Sequence, residues 1–187
     1  DVLEATAEDI RKATGVDVMK GKESLVSIFV TRRGLTLNDT LDQLPGGLAF
    51  ASATTLKSGK VLIAGGFDTL VQKENGAELG ASSLALLYDP QTGSFESLGS
   101  LSESRGLHRA LRLSDGRVML IGGAKKLLVN FTHGSIFQLV ESELVSSVDV
   151  YDPQTGGFDN AGADLLVARA GAAALIMAGD HGLLMGG

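Results

Sequence analysis

The chain has 187 residues, 44% hydrophobic and 20% charged, which is long enough for a core of its own and too apolar for a disordered segment. It contains no cysteine, which excludes disulfides, thiolate nucleophiles and cysteine-ligated metal centres. The net charge is −6 and the sequence has no long basic run, so it shows no basic patch that would bind nucleic acid or anionic lipid. The 25 glycines, many in pairs or in turns, favour an all-β, turn-rich fold.

Residues 1–23 differ in sequence pattern from the rest of the chain and are interpreted as an N-terminal helical arm or insertion. In "EATAEDIRKATG", Thr6 is a candidate N-cap, helix formers follow, and Gly15 is a stop signal. The pattern predicts a short amphipathic helix over 4–14. It either decorates the following domain, which is the favoured interpretation, or docks a partner.

Two strands are predicted next. "SLVSIFV" (24–30) is strongly apolar, and "LTLNDTL" (35–41) alternates apolar with polar residues. The units that follow in the chain each have four predicted strands. The two strands here hold the positions of strands three and four of a preceding unit, so 24–45 is interpreted as half a unit.

Three gapless blocks follow at 48–66, 105–123 and 169–187. Each reads as a strand rich in small residues, a glycine turn, an apolar strand and a glycine pair. In the second block the turn is "SDGR", where Asp115 and Gly116 tolerate the positive φ of a tight hairpin. The pairs are Gly65 and Gly66, Gly122 and Gly123, and Gly186 and Gly187.

The phrase "YDPQTG" occurs twice, at 88–93 and 151–156. Its aspartate can cap a turn, its proline presets φ, and its glycine supplies a left-handed residue. Each copy predicts a second hairpin, from a strand that ends in tyrosine to one that begins near phenylalanine. The residues concerned are Tyr88, Asp89, Gly93 and Phe95, and Tyr151, Asp152, Gly156 and Phe158.

Two hairpins per unit make a four-stranded antiparallel sheet of roughly 50–60 residues, the size of a propeller blade. The motif resembles the Kelch-type β-propeller repeat, and the bacterial, galactose-oxidase-like branch matches best. The shared marks are the double glycine, the aromatic residues of strands three and four, and an arginine before strand one. Blade B (105–163) has them all. Blade A (48–100) has Leu48 at the position that Arg105 holds in blade B, and in both blades phenylalanine replaces the frequent tryptophan.

The resemblance implies a Kelch-like propeller segment over 24–187. Its parts are a half blade at 24–45, blade A at 48–100, blade B at 105–163 and a half blade at 169–187. That is fewer than the usual minimum of four blades. Either the chain is an excerpt of a longer propeller, which is favoured, or several chains share blades by self-assembly.

No catalytic residue, metal or cofactor is assigned. The sequence has neither the Walker spacing nor G-x-S-x-G, and His108, His133 and His181 lack metal-ligand spacing. His108 is expected to face a neighbouring blade. Among activities that the resemblance implies, a copper radical oxidase needs a cysteine that this chain lacks. A sialic acid mutarotase needs an arginine-rich centre that the sequence does not assemble.

Two connections, 67–83 and 124–146, are far longer than the usual few residues, and long loops are commonly functional. The resemblance implies that such strand 2–3 connections share one face with the strand 4–1 connections. The apolar second connection forms its own hairpin, which is favoured, or presents a partner site. Arg105 and Arg169 open strand one on the same face; hydrogen bonding to carbonyls of neighbouring blades is their favoured role, and binding a partner is the alternative. The candidate binding residues are Phe67, Asp68, Arg105, Lys125, Lys126, Phe131, His133 and Arg169.

The sequence therefore favours a non-catalytic binding or scaffold module that presents these loops to a protein or glycan partner. The alternative is the propeller portion of a larger glycan-active enzyme, of oxidase or mutarotase type, with its catalytic residues outside this chain. A bacterial envelope or secreted setting is favoured over the cytosol. No membrane span is expected, because "AGAAALIMAG" (170–179) is too short to cross a bilayer and reads as a strand pair.

Overall fold

The computed structural model describes residue 44, residues 47–132 and residues 136–187. This part of the chain is all-β, as predicted, and none of its residues is helical. Within it there is accordingly no helix with the length and hydropathy of a membrane span. The predicted helix at 4–14 and the predicted strands at 24–30 and 35–41 lie outside the described residues.

The described strands, in chain order, are β1 (Ser52–Thr55), β2 (Val61–Ala64), β3 (Phe67–Lys73), β4 (Gly76–Ala81), β5 (Leu84–Asp89), β6 (Ser94–Ser100), β7 (Arg109–Arg112), β8 (Val118–Ile121), β9 (Ala124–Thr132), β10 (Ile136–Leu144), β11 (Val148–Asp152), β12 (Gly157–Asn160), β13 (Ala173–Met177) and β14 (His181–Met185). All pairings between them are antiparallel.

Two four-stranded sheets have the order expected of propeller blades. Blade A is β1-β2-β5-β6, blade B is β7-β8-β11-β12, and β13-β14 is a two-stranded sheet. The first strands of successive sheets contact one another, β1 with β7 and β7 with β13. The four-stranded antiparallel units read from the repeat are therefore confirmed.

The two "DPQTG" turns have the same hydrogen bonds, which explains why the phrase is repeated in the sequence. The carboxylate Oδ1 of Asp89 accepts a hydrogen bond from the Gln91 amide at 2.9 Å, and the Gly93 amide donates to the Asp89 carbonyl at 2.8 Å. Gly93 has φ of 68°, in the left-handed region that glycine enters most readily. The same two bonds recur at Asp152, at 2.8 and 2.9 Å.

The main hydrophobic core lies between the two blades. Blade A and its flanking turns contribute Leu56, Leu62, Ala64, Ala85 and Leu101, and blade B contributes Val118, Leu120 and Tyr151. The aromatic residues of strands three and four pack as pairs, with ring centroids 4.9 Å apart for Tyr88 and Phe95 and 5.2 Å apart for Tyr151 and Phe158. Burial of this apolar surface drives the association of the blades.

The double glycines are where one blade meets the next. The amide of Gly66 donates to the carbonyl of Arg105 at 2.9 Å, and the amide of Gly123 donates to the carbonyl of Arg169 at 2.9 Å. A Cβ on Gly65 would lie 2.2 Å from the Arg105 carbonyl oxygen. Only glycine permits this approach, which explains why a glycine pair ends the first two blocks.

The two long strand 2–3 connections are not irregular loops. Residues 67–81 form the hairpin β3-β4, β9 and β10 pair antiparallel as a second hairpin, and β4 pairs with β9. The result is a third four-stranded sheet, β3-β4-β9-β10, built from two successive blades and called the inserted sheet below. The hairpin favoured within 124–146 is present, whereas the pairing of two hairpins was not anticipated.

Candidate binding surface

The inserted sheet is anchored on the strand 4–1 connections. Phe67, the first residue of β3, exchanges two backbone hydrogen bonds with Ala49, at 2.7 and 2.9 Å. Ala124, the first residue of β9, makes the equivalent pair with Gly106, at 2.8 and 2.9 Å. The long connections and the strand 4–1 connections thus form one continuous surface.

One face of the inserted sheet is apolar. The strand registers place Leu70, Leu79, Leu127 and Val129 on the same side, together with Leu139 of β10. Near the blades this side is covered, since Leu79 and Leu127 pack in a cluster with Leu107 and Ala170 of the strand 4–1 connections. Towards the outer strands it is open: Leu70 is 67% exposed and Leu139 is 55% exposed.

The opposite face of the sheet is charged. The carboxylate of Glu78 in β4 lies 3.2 Å from the ammonium of Lys73 in β3 and 3.2 Å from that of Lys126 in β9. Hydrogen bonds from Lys73 and Lys126 lower the pKa of Glu78. The glutamate therefore stays ionised and ties three strands together across the junction of the two hairpins.

A shallow cavity of about 420 Å³ lies beside the outer strand β3. Its walls are mainly apolar and come from the strand 4–1 connection before blade A and from β3 and β4. The lining residues are Gly47, Leu48, Ala49, Phe67, Asp68, Thr69, Leu70 and Leu79.

Beneath the inserted sheet, Arg105 is fully buried. Its Nη2 lies 3.0 Å from Oδ2 of Asp149 and 2.7 Å from Oγ of Ser147. Its Nη1 donates to the carbonyls of Gly122 and Ser147, both at 2.9 Å. Burial lowers the pKa of Arg105, and the Asp149 carboxylate opposes that effect. The side chain is thus a structural cation inside its own blade.

The polar network continues outward to β9 and β10. The hydroxyl of Ser147 donates to Glu103, whose other oxygen lies 2.6 Å from Nζ of Lys125. Lys125 also lies 3.7 Å from Glu143. Hydrogen bonding to Glu103 raises the pKa of Lys125, and the same bond lowers the pKa of Glu103. Both groups remain charged near neutral pH, which suits binding and positioning rather than proton transfer.

His108 joins the two blades, as expected from the sequence. Its Nε2 lies 2.8 Å from the hydroxyl of Ser52 in the first strand of blade A. Burial, with the nearby positive charge of Arg105, lowers the pKa of His108 to about 4. The imidazole is therefore neutral at physiological pH and serves the blade interface.

Comparison with known proteins supports the architecture. No protein-family model and no curated protein matches the chain. Among solved structures, a fungal alcohol oxidase of the AA5 family, in complex with copper, is similar with a TM-score of 0.52 and 19% identity over 71% of this chain. YjhT is similar with a TM-score of 0.53 and 19% identity over 77% of this chain.

The fold is propeller-like. At this level of identity the similarity shows the fold alone. The chain spans 26% of the alcohol oxidase chain and 46% of YjhT, so it corresponds to part of each propeller-containing structure.

The candidate binding residues differ in where this propeller-like fold places them. Asp68 is exposed, Lys125 and Lys126 are partly exposed in ion pairs, and Phe67 is buried at the base of β3. Arg105 lies in the interior and not on the surface, and it bonds carbonyls of its own blade rather than those of a neighbour.

The remaining candidate binding residues are Arg169, Phe131 and His133. Arg169 donates from Nη1 to the Gly186 carbonyl at 3.1 Å, the counterpart of the bond from Arg105 to Gly122. Phe131 lies in β9 opposite Phe137 of β10. His133 lies outside the described residues.

Sequence reasoning missed the exposed aliphatic residues and the partner of Arg105. The sequence does contain a signal for the partner of Arg105. Asp149 is an acid inside the apolar strand "VDVY", and the equivalent of Asp149 in blade A is Leu86, just as the equivalent of Arg105 is Leu48. The buried ion pair of one blade is thus replaced by two leucines in the other. Asp149 and Arg105 are a pair that internal comparison of the repeats identifies.

Among the described residues there is no group of three or more histidine, cysteine or acidic side chains placed to hold a metal ion. The surface that these residues form offers exposed aliphatic side chains, ion pairs held in fixed positions and a shallow apolar cavity.

Proposed function

We propose that this chain is a Kelch-type propeller segment that acts as a non-catalytic binding module. Its inserted sheet and strand 4–1 connections receive a protein partner. The observation that carries the proposal is the open part of the apolar face, where Leu70 and Leu139 are each more than half exposed on a sheet that two blades build together. Both leucines lie on the same side of the sheet, on its two outer strands, and exposed apolar side chains that share a face are typical of an interaction site.

A protein partner is favoured over a glycan by the type of side chain. The exposed residues of this face are aliphatic, and burial against another protein's apolar side chains gains hydrophobic free energy. Sugar hydroxyls placed against leucine would lose hydrogen bonds to water without compensation. The polar groups nearby, Glu78 and Glu103, already have lysine partners.

The test uses the protein as immobilised bait beside the double variant Leu70→Asp, Leu139→Asp. Both side chains are largely exposed, so the variant is expected to keep the far-UV spectrum and melting temperature of the wild type. Proteins captured by the wild type and lost by the variant, then confirmed with purified partner, support the proposal. Leu166→Asp, at a fully exposed residue outside the inserted sheet, is the matched control and should retain binding.

Equal capture by wild type and double variant would contradict the proposal. So would selective binding to a glycan array that the double variant leaves unchanged.

A second candidate is the propeller portion of a larger glycan-active enzyme. What supports it is the shared fold with the AA5 alcohol oxidase, of which this chain spans 26%. In that case the catalytic residues belong to neighbouring sequence. Cysteine, tyrosine and histidine at oxidase spacing in the flanking coding sequence would favour this candidate, and their absence there would count against an oxidase.

A further inference from the structure

A second cavity lies at the opposite end of the blade strands from the inserted sheet. The strand 1–2 and 3–4 turns of each blade lie at that end, because the strands are antiparallel in the order β1-β2-β5-β6 and β7-β8-β11-β12. The cavity, called the turn cleft below, has a volume of about 410 Å³ and opens between these turns of blade A and blade B. All four strands of both blades are described, so no blade strand is missing from its walls.

The hydroxyl of Tyr151 in β11 opens into the turn cleft. Tyr151 is 2% exposed, and its ring packs on Phe158 and in the core between the blades. Among the described residues the hydroxyl has no hydrogen-bond partner. The described polar side-chain atoms that are enclosed without a partner are Nε of Arg105 and Nδ1 of His108, so the Tyr151 hydroxyl reaches open space. That space is the cleft, which Tyr151 lines.

This wall of the cleft offers hydrogen-bond donors. Burial raises the pKa of Tyr151, and the negative charges of Glu96 and Asp152 raise it further. The phenol therefore keeps its proton at physiological pH and can donate it to a ligand. The side-chain amide of Gln154, in the strand 3–4 turn, is exposed on the same wall and carries two more donors.

The facing wall carries a positive charge, the ammonium of Lys57 in the strand 1–2 turn of blade A. It donates one hydrogen bond to the Ser114 carbonyl of blade B, at 2.5 Å, and an ammonium has two more donors. In the described part of the chain no carboxylate forms an ion pair with Lys57. The acidic residue that lines the cleft, Asp115, has its own cation, since Arg117 lies 2.7 Å away. The charge of Lys57 is therefore open to an anion.

The remaining lining is mainly apolar. Leu56 and Leu87 come from blade A, and Pro153 comes from the strand 3–4 turn of blade B. A ligand with an apolar body gains hydrophobic free energy against these side chains. A carboxylate on the same ligand accepts hydrogen bonds from both walls and pairs with the ammonium, whereas an amine would meet that ammonium as a like charge.

We propose that the turn cleft binds a small organic acid with an apolar body. The carboxylate lies between the Lys57 ammonium and the Tyr151 hydroxyl, and the body of the ligand lies against Leu56, Leu87 and Pro153. This site goes beyond the proposed function, because it lies at the other end of the blades from the surface that receives a protein partner. It also gives the second copy of the "DPQTG" turn a role in binding, through Gln154 and Pro153.

The test uses 3-phenylpropionate as the probe, at millimolar concentration, and protein labelled with carbon-13 in its tyrosine rings. The chain has two tyrosines, so Tyr88 serves as an internal reference that does not line the cleft. We expect the Tyr151 signal to shift with saturation while the Tyr88 signal stays in place. The matched amide and the matched amine of the probe should each bind at least about tenfold more weakly than the acid.

Two variants and a control locate the ligand. Tyr151→Phe removes only the hydroxyl, which has no partner among the described residues, so it should keep the melting temperature and weaken the acid about tenfold by calorimetry. Lys57→Gln should also weaken the acid about tenfold and should leave the weak binding of the amide unchanged. Tyr88→Phe, at the equivalent residue of blade A, assigns the two signals and should bind the acid as the wild type does.

Any of three results would overturn the proposal: no selective shift of the Tyr151 signal, an amide or amine that binds as tightly as the acid, or undiminished binding by Tyr151→Phe. The readouts do not depend on the inserted sheet. Partner capture that persists without acid binding therefore removes this site alone, and acid binding without partner capture removes the proposed function alone.

Discussion

The guanidinium of Arg105 and the carboxylate of Asp149 form a fully enclosed ion pair, with Nη2 and Oδ2 3.0 Å apart and both side chains at most 1% exposed. Such a pair gains little over apolar residues of similar volume, because both ions lose their hydration. Removing one partner is costly, since the other charge stays buried. In this chain the pair also holds the carbonyls of Gly122 and Ser147, which links the glycine pair to the third strand.

We predict that Asp149→Ala destabilises the protein by about 3–5 kcal/mol, because it leaves the buried guanidinium of Arg105 without its counter-ion. The double variant Arg105→Leu, Asp149→Leu should be less destabilised than either Asp149→Leu or Arg105→Leu alone, since blade A carries leucine at both equivalent positions. Urea unfolding of the variants measures this. The control is Asp115→Asn, in the exposed pair with Arg117, which should change little. Additive effects of the two leucine substitutions would contradict the prediction.

His108 predicts a pH dependence of stability. Its folded pKa of about 4 is below the ordinary value of 6.5, so as pH falls through this range the unfolded chain binds a proton that the folded chain excludes. Stability is therefore full above pH 6.5 and declines towards pH 4, by up to about 3 kcal/mol. His108→Gln should lack this part of the decline in urea unfolding at several pH values. The control His181→Gln alters an exposed histidine. Identical pH profiles for wild type and His108→Gln would show the prediction to be wrong.

Gly65→Ala should destabilise the protein by more than about 3 kcal/mol, because the new methyl group would meet the Arg105 carbonyl of the next blade. Gly59→Ala is the matched control: Gly59 also has positive φ, at 87°, but a Cβ there would have nothing within 4 Å. It should cost only backbone strain, about 1–2 kcal/mol. Thermal melting compares the two, and equal losses would mean that strain, not blade contact, selects glycine at position 65.

Gly76→Ala should separate the two hairpins of the inserted sheet without unfolding the blades. The added methyl group would clash with the Val129 carbonyl, which we expect to lower the local opening free energy of β4 and β9 by roughly 2 kcal/mol. Gly80→Ala, in the same strand, would meet only the Thr69 side chain at 3.4 Å and is the control. Amide exchange in the strands of blade B should be unchanged in both variants. Faster exchange throughout blade B in Gly76→Ala would contradict this independence.

The blades were predictable because their signals are local. The "SDGR" and "DPQTG" turns fix each hairpin within about ten residues, and the apolar runs such as "VMLI" between them show which strands are buried. Repetition then supplied the spacing that joined two hairpins into one sheet.

The inserted sheet was not predictable in the same way. Its central pairing joins Gly76–Gly80 to Lys126–Asn130, about fifty residues away, and no turn connects them. Periodicity shows that a segment favours a strand but not which distant strand it meets. The interior position of Arg105 was missed for a related reason, since its partner Asp149 lies more than forty residues away in another strand.

The pairing of β4 with β9 has a consequence for how the molecule unfolds. Repeat proteins behave as one-dimensional chains of units coupled to their nearest neighbours. Blades A and B share two such couplings, the core between their faces and the ladder between their hairpins. Melting of blade A would therefore expose the shared core and withdraw β4 from its ladder with β9, so the two blades should unfold in one cooperative step rather than in succession.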